Sequence, residues 1–142
     1  MTNLKNHGES GTNTARSQPR LRLRLMFDDL HGGDRKAAPY KAMLGPGKAD
    51  LLEHIGETGS IAAAGRAMGM SYKRAWLLVE TMNAIFAEPL VASSRGGSAG
   101  GGAELTQTGR KVLSLYRALE NRTLEAGNAE IEAICALLKE EG

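Results

Sequence analysis

Gly47 to Phe86 reads GKADLLEHIGETGSIAAAGRAMGMSYKRAWLLVETMNAIF, three amphipathic segments parted by two short breaks. The breaks fall at Thr58-Gly59 and at Gly69, and a Ser follows each within two residues, Ser60 and Ser71. A Ser hydroxyl at a helix N-cap accepts a hydrogen bond from an orphan backbone N–H of the first turn. The middle segment, Ile61 to Met68, is about two turns long. A long helix, a short helix, a tight turn at a Gly and a second long helix predict a helix-turn-helix.

The third segment, residues 71–86, is tested by its period. At 100° per residue, Ala75, Leu78, Val79, Met82 and Phe86 fall within about 60° of one another and form a core stripe. Lys73, Leu77, Glu80 and Ala84 point the opposite way, with Arg74 and Thr81 on one flank and Trp76 and Asn83 on the other. Lys73 and Arg74 therefore sit in the first turn, on and beside the exposed face. No acid lies between Ser60 and Trp76, while Arg66, Lys73 and Arg74 give that stretch a charge of +3. A charge run on a helix is ordinarily a solvated face. Here the acid-free context favours a face for a polyanion, since such a motif reads base edges from the N-terminal turn of its second helix.

Charge along the chain agrees. Residues 1–40 carry +3, residues 41–126 carry +2 and residues 127–142 carry −3, within a net charge of +2. A basic front and an acidic tail fit a chain that offers one face to a polyanion. With 142 residues and 42 % apolar side chains there is room for one domain with appendages and an ordinary core. The single cysteine, Cys135, excludes an intramolecular disulfide and fits a reducing compartment. The N-terminus lacks the apolar core of a secretory signal, and no run approaches the ~18 apolar residues of a membrane span. The expected location is cytoplasmic, with no membrane partner.

Residues 1–19 are rich in Asn, Thr, Ser and Gly and are expected to form a disordered leader. Arg20 to Phe27 reads RLRLRLMF, and its period of two predicts a half-buried strand with one cationic face. That face either protects an edge strand or touches phosphates. Residues 28–47, with Pro39, Pro46 and several Gly, are expected to be loop. The first helix, 47–57, turns Leu51, Leu52 and Ile55 inward, and Lys48 and Glu53 outward. Beyond Phe86, Pro89 stops the helix. Leu90–Ser94, a glycine-rich loop and Ala103–Thr106 make two short strands around a tip, the layout of a wing. Arg95, Gly96 and Gly97 begin that tip, where small residues let backbone N–H groups approach phosphates. The glycines do not end in the Gly-Lys-Ser/Thr of a nucleotide-binding loop.

Thr106 is expected to cap a long helix, about 106–126, whose stripe of Val112, Tyr116 and Leu119, broadened by Leu113 and Leu115, both closes the domain core and pairs with a second copy. Gly127-Asn128 interrupts, and Asn128 is expected to cap a short last helix within residues 127–142. Its stripe of Ile131, Ile134, Cys135 and Leu138 needs a partner surface.

Gly59-Ser-Ile-Ala-Ala-Ala, Met68 to Trp76, the Met82-Asn83 pair, the glycine-rich wing and Leu105-Thr106 together resemble the N-terminal DNA-binding domain of the molybdate-responsive ModE regulators. More broadly they are similar to LysR-type winged helix-turn-helix domains. The resemblance covers about residues 20–122. It implies a mostly α fold with a small β wing (α+β) and a domain over 20–126. It also implies a homodimer whose long C-terminal helix contributes the interface. By the same resemblance, Ser71, Tyr72, Lys73 and Arg74 would lie at the operator. Two departures stand out. The family commonly has a Lys between its wing glycines, where this chain has Ser98-Ala99, with Arg95 earlier. Residues 127–142 leave no room for the family's C-terminal molybdate-binding domains, so oxyanion sensing is not carried over.

The expectation is a sequence-specific DNA-binding transcriptional regulator acting on a palindromic operator. Its DNA-binding set is Ser60, Arg66, Ser71, Tyr72, Lys73, Arg74, Arg95, Gly96 and Gly97. The competing expectation is a protein–protein adaptor on the same scaffold, using Trp76, Leu77 and the last helix. The three histidines, His7, His31 and His54, are not spaced with a carboxylate or Cys for acid–base or metal chemistry. No catalytic residue, metal or cofactor is therefore expected.

Overall fold

A computed structural model describes residues 19–27, 42–94 and 102–140. The chain runs β1 (Leu25–Met26), β2 (Met43–Leu44), α1 (Pro46–Thr58), α2 (Ile61–Ala67), α3 (Tyr72–Ile85), β3 (Val91–Ser94), β4 (Gly102–Leu105), α4 (Gln107–Ala126) and α5 (Asn128–Cys135). Among the described residues two antiparallel pairs form, β1 with β2 and β3 with β4. The second pair is a hairpin in the register Val91↔Leu105 to Ser94↔Gly102. The architecture is mostly helical with small sheets, as the sequence predicts.

Leu51, Leu52 and Ile55 of α1 are fully buried against Ala75, Val79 and Met82 of α3 and Leu90, Val91, Ala103 and Leu105 of the hairpin. Each large side chain so buried stabilises the fold by about 1.5–3 kcal/mol. A second, smaller cluster joins Leu44, Ala49 and Tyr116. Phe86 packs against both clusters and meets Phe27 edge to face at 6.1 Å between ring centroids. The expected stripe of α3 is thus the face that the fold buries.

Several expectations are corrected. The RLRLRLMF stretch does turn its arginines out, but only Leu25–Met26 pairs in a ladder. Its partner, Met43–Leu44, lies in the stretch expected to be loop. Two-residue strands carry no period to detect. Lys48 points inward rather than outward. Its side chain is 8 % exposed and Nζ donates to the Met43 carbonyl at 2.7 Å, so the aliphatic stem is buried while the ammonium closes the end of β2. Burial lowers the Lys48 pKa from its ordinary value. On α4, Tyr116 is buried and Val112 and Leu113 are half-buried, but Leu115 (60 % exposed) and Leu119 face outward. Asn128 makes no cap. Gly127 holds the N-cap position of α5, and Asn128 Nδ2 instead donates to Glu132 Oε1 at 3.4 Å. The expected leader, save Pro19, lies outside the described residues.

Two side chains in the middle of α4, Tyr116 and Arg117, bond it to the rest. Tyr116 Oη donates to the Leu23 carbonyl at 2.7 Å. Burial raises the Tyr116 pKa, and Glu120 adds to the shift. Arg117 bridges Asp50 at 2.8 Å and Glu53 at 3.2 Å on α1, and Glu120 at 2.9 Å on its own helix. Burial alone would lower the Arg117 pKa. Hydrogen bonds to Asp50 and Glu120 outweigh it, and the net shift is upward.

Candidate nucleic-acid interface

The local chemistry around α2 and α3 builds one surface. Ser60 caps α2, its Oγ accepting from Ala63 N at 3.1 Å. Ser71 caps α3, its Oγ accepting from Arg74 N at 3.2 Å. Between the helices the chain turns at Gly69, where φ is +68°. Gly69 N donates to Arg66 O at 3.0 Å and Met70 N to Gly65 O at 2.9 Å, the paired bonds of a Schellman motif. A side chain at Gly69 would be strained in that left-handed conformation.

Gly65 sets how closely the two helices approach. A Cβ built there would stand 3.1 Å from Ala75 Cβ and 3.4 Å from Met70 O. With hydrogen at Gly65 and a methyl at Ala75, the axes come close enough for α2 to brace the start of α3. Mid-helix glycine in a short helix was the available sequence signal for this contact.

The first turn of α3 then projects freely. Tyr72, Lys73 and Arg74 are all exposed, as is Arg66 at the end of α2. Among the described residues no carboxylate pairs with Arg66, Lys73 or Arg74. Their charges are uncompensated locally, as the acid-free stretch implies. Ser60 and Ser71 act first as caps, and each has its oxygen already engaged by a backbone N–H.

The far end of α3 is tied to the hairpin by one side chain. Asn83 Oδ1 accepts from Leu90 N at 2.8 Å and Val91 N at 3.2 Å, while Nδ2 donates to Val91 O at 3.1 Å. Thr106 fixes the other strand. Its Oγ1 donates to Pro89 O at 2.7 Å and accepts from Gly109 N at 3.0 Å, capping α4. The hairpin also bonds to the end of α1, through Ala103 N to Gly59 O at 3.0 Å. Asn83 and Gly65 are the positioning residues that periodicity did not single out.

A groove of about 240 Å³ opens between α3, the start of α2 and the hairpin. Ser60 and Tyr72 line it together with Trp76, Glu80, Asn83 and Ser93. Arg95, Gly96 and Gly97, expected at the tip between β3 and β4, lie outside the described residues. His54 lies within 3.7 Å of Glu57 through Nδ1. Among the described residues no group of three or more His, Cys, Asp or Glu is arranged to hold a metal ion. Nor is any helix among them long and apolar enough to cross a membrane.

No protein-family model matches the chain. Among curated proteins it is similar to the molybdenum-pterin-binding protein MopB of Rhodobacter capsulatus, 49 % identical over 79 residues, or 56 % of this chain and 29 % of that protein. It is 49 % identical over 70 residues to the molybdenum transport protein ModE of Azotobacter vinelandii, covering 49 % of this chain and 26 % of that one. It is 40 % identical over 76 residues to the DNA-binding transcriptional dual regulator ModE of Escherichia coli K12, covering 54 % and 29 %. The chain thus spans under a third of the length of these relatives. A solved LysR family transcriptional regulator superposes with a TM-score of 0.48 at 18 % identity, over 71 % of this chain and 31 % of that one.

Proposed function

We propose that this chain is a ModE-like helix-turn-helix regulator of transcription that binds double-stranded DNA. The observation that carries the reading is the first turn of α3. Tyr72, Lys73 and Arg74 stand exposed behind the Ser71 cap, with Arg66 beside them and no pairing carboxylate among the described residues. The identity of 40–49 % to ModE and Mop proteins supports it.

In this reading residues 71–86 enter the major groove, and Lys73 and Arg74 contact base edges or phosphates. The β3–β4 hairpin serves as a wing, with Arg95, Gly96 and Gly97 along the backbone. The regulator is a homodimer joined through the long helix 106–126, so that two recognition helices meet a palindrome with half-sites ~34 Å apart. Residues 20–126 are the DNA-binding domain, 1–19 a leader and 127–142 an appended helix. The molecule acts in the cytoplasm, without catalysis, cofactor or metal at this surface.

The test is selection from a random pool of duplex DNA, followed by a salt titration of the recovered sequence. A palindromic motif whose affinity falls steeply with salt, as released counterions require, is the expected result. No enrichment, or affinity indifferent to salt, would overturn the reading in favour of a protein-docking scaffold.

A further inference from the structure

Tyr72 and Trp76 stand one turn apart on α3, 58 % and 42 % exposed. The fold does not require them there, because the buried stripe of α3 runs through Ala75, Val79 and Met82. The two rings leave adjoining aromatic surface open at the start of α3. Both rings line the groove whose opposite wall is the hairpin, and Asn83 holds that wall in place.

The chemistry of the groove narrows its occupant. Lys73 and Arg74, adjacent in sequence to Tyr72, draw a polyanion to this end of α3. Glu80 lines the groove one turn beyond Trp76 and repels phosphate. The part of a nucleic acid that fits beside both is a base edge rather than the backbone. In the major groove one base edge carries an apolar group, the C5-methyl of thymine. A carboxylate accepts from the exocyclic amine of a neighbouring base.

We propose that Tyr72 and Trp76 form an aromatic shelf that reads thymine methyl groups in the major groove beside the bases reached by Lys73 and Arg74. The inference rests on the DNA-binding reading and adds a specificity determinant to it.

Trp76 is the one tryptophan of the chain, so its emission reports on the shelf alone. The experiment uses the full chain and the duplex recovered by selection. A second duplex of the same sequence carries deoxyuridine for each thymidine, which removes the methyl groups and leaves the hydrogen-bonding edges intact. Binding is followed by anisotropy of labelled DNA and by acrylamide quenching of Trp76. The expected result is protection of Trp76 on binding, with affinity about fourfold weaker for each contacted methyl removed. Trp76→Ala should narrow the difference between the two duplexes, Trp76→Ala with Tyr72→Ala should abolish it, and Trp76→Phe should keep most of it. Circular dichroism checks that each variant is folded. Equal affinity of the wild type for both duplexes overturns the inference, as does Trp76 emission and quenching unchanged by bound DNA, which assigns the shelf to a protein partner. Absence of binding to any duplex overturns the DNA reading itself.

Discussion

Lys73 and Arg74 bear charges that the fold leaves unused among the described residues, so removing them separates binding from folding. Lys73→Ala and Arg74→Ala should each shift stability by no more than about 0.5 kcal/mol, as surface changes do. Each should weaken binding to the selected duplex about 10- to 100-fold, the range of a lost base contact. Thermal melting and DNA anisotropy measure the two effects. Asn83 is the converse case. Its side chain makes three bonds to the backbone of residues 90 and 91. Asn83→Ala should cost about 2–3 kcal/mol, at roughly 1 kcal/mol for each bond, read as a drop in the denaturation midpoint. The exposure of Lys73 and Arg74, and their lack of a pairing carboxylate among the described residues, were legible because their neighbours carry no acid. The role of Asn83 was not, because its partners are backbone atoms seven and eight residues away and leave no side-chain pattern. Lys48 misled for a different reason. It stands three, four and seven residues before Leu51, Leu52 and Ile55 and so lies on their stripe, and its charge rather than its position suggested an outward side chain.

Helices were legible where capping residues marked them. Ser60, Ser71 and Thr106 each accept a bond from a first-turn N–H, and the helix starts lie beside them. Ser71→Ala should cost about 1 kcal/mol in stability. It should also weaken DNA binding with little change in the salt slope, since it loosens the first turn of α3 without deleting a charge. Paired melting and salt-titration curves check this. The strands of the first sheet were not legible as a pair, since two residues each show no alternation and the partner lies across residues 28–41. The junction of α4 and α5 was misjudged by one residue. Gly127 itself takes the cap position, so Asn128 already belongs to the helix. The hairpin strands were found, but the expected contacts of Arg95, Gly96 and Gly97 belong to residues outside those described.

At the scale of the molecule, α4 is two-sided. Tyr116, Val112 and Leu113 face the core, whereas Leu115 and Leu119 face away from it. Ile134, Leu137 and Leu138 extend apolar surface beyond it. The sequence stripe was expected to serve both the core and a second copy, and periodicity alone does not say which residue does which. In the proposed dimer, replacing both Leu115 and Leu119 with Glu should yield a folded monomer by sedimentation and lower operator affinity at least tenfold, with Arg117 still holding α4 to α1. The bond network of Asn83 has a bearing of its own. One amide fixes the distance between α3 and the hairpin while the chain folds. In the proposed complex, α3 and the hairpin then reach DNA as one unit whose spacing is already set, so little ordering remains to be done on binding.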